Sequence, residues 1–331
     1  PLSSSAASDV YKRQINLSNH SDQRMRHAKM GNWFAENPQR SLSNNSICYT
    51  DKPDMGAFLR EWVAIHESKS GERGIFNREA CENMLPERRE GGHEFGCNPC
   101  SEIVLRSEQF CNLTEVVAKP ADTIETLMVK VRLATILGTL QSTLTNFKFL
   151  RKGWIDNCEE ERLLGVSFTG IYDCPALRNA TADDLNDLKQ QAVNVNKDWA
   201  NLLGINQSTA VTCIKPSGTV SQLCDSGSGI HPRWGKHYVR RVRNDKKDPI
   251  SQAMIDAGVP HEEDKYNAEA WVFSFPMKAP AKALTRHDVT PISQLELWKH
   301  FALNWCEHKP SMTCYVPEDS WAEVASWVWD N

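Results

Sequence analysis

The stretch Gly96-Cys97-Asn98-Pro99-Cys100-Ser101-Glu102-Ile103-Val104-Leu105, with Phe110-Cys111-Asn112-Leu113 shortly after it, organises the reading of the chain. It sets an amide, a thiol and a carboxylate at alternate positions: Asn98, Cys100 and Glu102. In an extended segment, side chains two apart share a face. The spacing therefore predicts one face presenting all three groups to a small ligand. The same residues also read as a turn leading into an edge strand, with the cysteine as a small apolar filler. Downstream, Lys215-Pro216-Ser217-Gly218-Thr219-Val220-Ser221 reads as the end of a strand passing into a tight, hydroxyl-rich turn.

At 331 residues the chain is long enough for one large α/β domain or two smaller ones. A formal net charge of −4 gives no global basic field of the kind that points to a nucleic-acid duplex. No apolar run approaches the roughly 20 residues of a membrane span, so the composition describes a soluble protein. Eleven cysteines are scattered along the chain with no signal peptide in view, which predicts reduced thiols in the cytoplasm. Cys97 and Cys100 form a C-x-x-C, half a zinc site or a redox pair. No partner pair follows at zinc spacing, so no metal site is assigned.

Residues 1–14 show small-residue bias without apolar periodicity and read as an adapter or cloning remnant, excluded from the fold. A short helical stretch over 21–37 ends at Asn37-Pro38. Strands are expected within 42–49 and at 74–76, and a helix over 55–68 on which His66 is a face residue. The longest periodic run, 122–147, puts Leu127, Val131, Ala134, Leu137 and Leu144 on one face, with Asp122 or Thr123 as its cap. A buried strand over 163–168 and an amphipathic helix over 183–203 follow. Residues 209–214 form the clearest β-branched strand and deliver the serine-rich turn at its C-terminal end, where ligands gather in α/β folds. Further strands are expected at 238–242, 272–275 and 313–316, and helices at 248–257, 291–306 and 320–329. The basic run 236–247 reads as a solvated face, with phosphate contact as the alternative; the loop 226–232 has no role derivable from its residues. Strands alternating with helices, without repeats or a Gly/Ser linker, predict one α/β unit over 15–331.

The segments around Cys100, Cys111 and Ser217, supported by pieces at 40–46, 68–78, 163–170 and 226–232, together resemble the catalytic barrel of ribonucleotide reductase. Within that family they look most like the adenosylcobalamin-dependent class and its ribonucleoside-triphosphate reductases. The resemblance implies a ten-stranded α/β barrel, here incomplete at both ends. It also implies radical-based reduction of ribonucleoside triphosphates to 2′-deoxyribonucleotides, with adenosylcobalamin as cofactor and thioredoxin or a similar dithiol as reductant. Two alternatives stay open: the large subunit of a di-metal-dependent ribonucleoside-diphosphate reductase, and a non-catalytic nucleotide- or zinc-binding module using Cys97, Cys100 and Cys111.

Removing a ribose 2′-hydroxyl requires a radical at the neighbouring carbon, which ordinary side chains do not generate and a cofactor must. By resemblance, Cys100 relays that radical, a role that calls for a thiol shielded from water. Glu102 would accept the 3′-hydroxyl proton, its pKa raised by burial, and Asn98 can both donate and accept toward the ribose hydroxyls. Cys111 matches one member of the family's redox pair, whose other member lies upstream in relatives and has no counterpart here. The resemblance assigns Pro216, Ser217, Gly218, Thr219, Val220 and Ser221 to the substrate phosphates. Ser43 and Asn44 are either substrate contacts or turn formers. The apolar face of Trp321, Val324 and Val328 is expected to lack a partner.

Overall fold

A computed structural model describes residues 14–218, 220–265 and 267–331. The reading of residues 1–14 as an adapter thus lies outside the described residues, except for Gln14, which opens the first strand.

Two parallel three-stranded sheets carry the apolar strands. In the first, β1 (Gln14–Ser18), β2 (Ser43–Tyr49) and β3 (Gly74–Asn77) pair in that order, with α1 (Met55–Ser68) between the last two. In the second, β6 (Asn112–Val117), β7 (Leu164–Thr169) and β8 (Thr212–Cys213) pair in that order. Parallel strands need helical crossovers that cover the sheet faces. Here α2 (Ile124–Gln141), α3 (Lys152–Glu161) and α4 (Ala182–Leu203) supply them, and β7 is buried at every position. The main core joins Val116, Leu127, Leu164, Phe168, Leu188 and Trp305. An isolated parallel bridge from Ile214 to Pro310 extends this sheet beyond β8. Among the described residues, strand pairing does not close these sheets into a ring.

Two short strands, β4 (Gly96–Cys97) and β5 (Val104–Leu105), make an antiparallel pair. A separate antiparallel sheet orders β10 (His261–Glu263), β11 (Ala270–Lys278) and β9 (His237–Asp245). The chain ends in α5 (Pro291–Asn304) and α6 (Trp321–Asp330).

Several expectations are corrected. The helix expected to run to 147 stops at Gln141, where the Ser142 and Thr143 hydroxyls donate to the Thr139 and Leu140 carbonyls and compete with helical bonding. Its buried face runs through Leu127, Val131, Thr135 and Gly138, because small residues let the helix approach β6 and β7 closely; Leu137 and Leu144 are left exposed. Residues 313–316 form no strand, the parallel bridge being made instead at Pro310. The face of α6 is covered: Trp321 meets Trp62 and Trp329 meets Phe58 of α1, with ring centroids 5.2 and 5.3 Å apart. Thr123 caps α2 as expected, in a reciprocal box with Thr126.

Candidate active site

Between β4 and β5 the chain is not extended. Asn98, Pro99, Cys100 and Ser101 form a β-turn in which Ser101 N–H donates to the Asn98 carbonyl at 2.8 Å. Proline suits the second position of such a turn and asparagine the first. Ser101 takes a left-handed φ of 71°, and the Asn98 side-chain oxygen accepts from Ile103 N–H at 3.0 Å. The single extended face expected for Asn98, Cys100 and Glu102 is therefore replaced by a turn, across which the Asn98 amide still hydrogen-bonds the Glu102 carboxyl. Cys100 is exposed, not shielded as expected, because it occupies the third position of the turn. Glu102, past the left-handed residue, is directed inward and is only 3% exposed.

Distant segments hold this hairpin. Asn44 Nδ2 donates to the Pro99 carbonyl at 2.7 Å, and Ser311 Oγ donates to that of Cys100. Lys309 N–H donates to the Glu102 carbonyl at 3.1 Å. Val104 N–H donates to His308 Nδ1 at 3.3 Å, so the ring carries its proton on Nε2, which donates to the Leu164 carbonyl at 3.0 Å. Burial keeps this imidazole neutral, its pKa pushed down to about 3. Of the residues named from sequence, Asn44 thus reaches the turn by its side chain. Ser43 contributes its carbonyl to Lys29 Nζ, 2.7 Å away.

Glu102 combines burial with an Oε2 atom that lacks a hydrogen-bond partner among the described residues. Burial raises its pKa above the ordinary 4.5; the Asn98 amide and the Lys215 and Lys309 ammonium groups pull the other way. A raised carboxyl pKa means that folding favours the protonated form. That contribution is fully present below about pH 4.5 and is lost as pH rises through the folded-state value. Glu102→Gln should therefore gain stability relative to the parent as pH increases from about 5 to about 8. Parallel stability–pH curves in urea denaturation would refute this.

Cys111, just before β6, reaches the surface in part, yet its thiol pKa is strongly raised, by burial first and then by the Glu102 carboxylate. The two groups therefore lie close enough to interact.

The serine-rich turn follows β8. Ser217 Oγ accepts from Ser221 N–H at 3.1 Å, and the fully buried Ser221 hydroxyl donates back to the Ser217 carbonyl at 2.6 Å. These hydroxyls thus bond within the turn, while Gly218 is exposed and Pro216 half-buried. Val220 opens a single helical turn, Val220–Leu223; Thr219 lies outside the described residues. The turn rests on the 226–232 loop, where Gly229 has φ of 52° and any Cβ would collide with the Lys215 carbonyl. Only glycine fits that approach.

Sequence reasoning missed His308, Lys309 and Ser311, and the pair of Lys215 with Glu115 at 2.8 Å across the second sheet. Lys215 adjoins the quoted turn, which was a usable signal. The 308–311 segment has no local pattern that marks it.

Taken together, a parallel-sheet α/β scaffold presents a cysteine turn, a buried carboxyl and a second thiol at one place. A solved B-12 dependent (class II) ribonucleotide reductase superposes with a TM-score of 0.71, covering 95% of this chain and 48% of that one at 23% identity; the chain has that fold. In sequence, it is related to adenosylcobalamin-dependent ribonucleoside-triphosphate reductases. The protein of that name from Levilactobacillus brevis is 27% identical over 325 residues, covering 85% of this chain and 42% of the relative. Its counterpart from Lactobacillus gasseri is 28% identical over 279 residues, covering 72% of this chain and 36% of the relative. The chain thus spans less than half the length of these curated relatives. No protein-family model matches it.

Proposed function

We propose that this chain carries the reacting segment of an enzyme that reduces ribonucleoside triphosphates to 2′-deoxyribonucleotides. The observation that carries the reading is the Cys100 turn backed by buried, unpartnered Glu102 Oε2 in a chain with these relatives. The residues fit a bulky cofactor, because the exposed Cys100 can be approached from outside the hairpin, and cofactor and substrate, once bound, would supply the shielding from water that the fold alone does not. Adenosylcobalamin, when bound, supplies a radical that a thiol can quench by giving up hydrogen.

Cys100 gives up its S–H hydrogen, and its sulfur radical then takes the hydrogen on the substrate's 3′ carbon. Glu102 Oε2 accepts the 3′-hydroxyl proton. Asn98 orients the ribose through Nδ2, since its oxygen is already engaged by Ile103 N–H. Cys111 and a second thiol are oxidised to a disulfide, their two electrons and two hydrogens placing one hydrogen on the 2′ carbon and one on the 2′ oxygen that leaves as water; Cys100 then returns its hydrogen to the 3′ carbon and Glu102 its proton to the 3′ oxygen. A dithiol such as thioredoxin in a reducing cytoplasm resets the pair. Among the described residues no helix is long and apolar enough to cross a membrane.

The test is hydrogen exchange between the cofactor's adenosyl carbon and water, measured on the longest reading frame that carries this sequence. Cobalamin-dependent exchange is expected; radical chemistry that requires a separate di-metal subunit instead would overturn the reading. Substrate phosphates are placed at the serine-rich turn. Ser217→Ala should weaken nucleotide binding by about 1–3 kcal/mol, and an unchanged dissociation constant would reduce that turn to a structural element.

A further inference from the structure

Away from the cysteine hairpin, α1 and α6 lie antiparallel. His66 of α1 bonds Glu318, just before α6, at 2.7 Å, Trp62 meets Trp321, and Phe58 meets Trp329 further along. Beside this contact runs a groove of about 600 Å³. On its α6 side stand the small residues Ala322, Ala325 and Ser326, which leave open the space that larger side chains would fill. On its α1 side stand Met55, Leu59 and Val63, 45%, 44% and 51% exposed. Their four-residue spacing stacks them into one ridge along the helix. A ridge of large apolar side chains beside an apolar groove is the kind of exposed surface that marks a contact with another protein.

The ridge is symmetric about Leu59: Met55 lies four residues before it and Val63 four residues after. Charge runs the opposite way. Lys52, seven residues before Leu59, lies over the Trp329 ring at 4.7 Å and has no acidic partner among the described residues. The acids next to it are engaged locally, Asp51 by the Thr50 hydroxyl and Asp54 by Ala57 N–H at the start of α1. His66, seven residues after Leu59, marks the acidic end of the groove. There Glu318 is shared between His66 and Lys69, while Asp319 accepts from the Ser320 hydroxyl at 3.2 Å and has no cation among the described residues.

We infer that this surface binds a second copy of the chain across a two-fold axis at Leu59. A two-fold contact requires a surface to complement itself, and this one does. Leu59 meets its symmetry mate, Met55 faces Val63 of the other copy, and each ridge enters the opposite groove. The same rotation carries the Lys52 of each copy to the Asp319 end of the other, and it sets the two α1 helices antiparallel, with their dipoles favourably opposed. A partner of unrelated sequence would have to reproduce both the apolar spacing and the charge order independently. The inference does not rest on the radical chemistry proposed above.

Sedimentation velocity on the longest reading frame that carries this sequence tests it, and a dimer is expected. Leu59→Asp, which sets two carboxylates against each other on the axis, should weaken that dimer by about tenfold or more. Circular dichroism checks that the fold is retained. Lys52→Glu should weaken association in the same direction by placing acid against Asp319, and Lys52→Glu/Asp319→Lys should restore it, a rescue that damage to the fold would not give. A monomer across the accessible concentration range would overturn the inference and leave the groove to another segment or another protein. A dimer indifferent to Leu59→Asp, or one that the paired charge reversal fails to restore, would overturn it equally.

Discussion

Replacing Cys100 by serine is expected to abolish deoxynucleotide formation and cofactor hydrogen exchange, reducing both below detection, while nucleotide binding stays near the parent value. The reason is bond strength: a serine O–H holds its hydrogen too tightly to pass it to the cofactor radical, so the relay stops at its first step. Cys100 lies exposed at the third position of a turn, and surface substitutions of this kind change stability by no more than about 0.5 kcal/mol. Lost activity with an unchanged melting temperature therefore isolates chemistry from folding. Substantial product formation by the variant would remove Cys100 from the centre of the mechanism. Cys111→Ser gives the contrast, since early hydrogen exchange should survive and only turnover should fail.

The largest expected effect on stability is at Arg89. Its side chain is inaccessible to solvent and makes a two-pronged contact with buried Glu161, at 3.1 and 3.0 Å. It also donates to the Val104 carbonyl at 3.0 Å and lies 4.9 Å from the Phe95 ring centroid. Arg89→Met would leave Glu161 charged and buried without its cation, a change that costs about 3–5 kcal/mol. Replacing both partners, as Arg89→Met/Glu161→Leu, should recover much of the loss, because the desolvation cost of the carboxylate disappears with the carboxylate. Urea denaturation of the single and double variants measures this. A single-variant loss below about 1 kcal/mol would mean that the pair contributes little to holding β5.

The geometry of the central turn was present in the residues but was outweighed by an alternation argument. Asn98-Pro99 is a turn signal in its own right, and it prevails because proline at the second position and an asparagine oxygen accepting from Ile103 N–H stabilise the reversal locally. The inward turn of Glu102 depends on the left-handed Ser101, a conformation that a serine does not announce. Helices such as α1 and α4 were legible because their periodic faces are the faces they bury. The face of α2 was misjudged for the opposite reason: its contact surface includes Thr135 and Gly138, which a count of apolar residues ignores. Arg240 and Arg241 are adjacent in sequence, yet among the described residues only Arg241 pairs with an acid, Glu262, two strands away.

The anchors of the cysteine hairpin have a bearing on how the protein is made. Ser311 meets Cys100 across 211 residues of chain, and His308 meets Val104 across 204. Contacts so distant are formed late, because closing the intervening loop costs entropy before it returns any binding. On the ribosome, Cys100 emerges long before the segment that will hold it, and the nascent chain passes through a period in which the hairpin has upstream links, from Asn44 to Pro99 and from Arg89 to Val104, but not those to Ser311 and His308. The thiol on which the proposed chemistry depends would thus reach its working position among the last parts of the domain to be set.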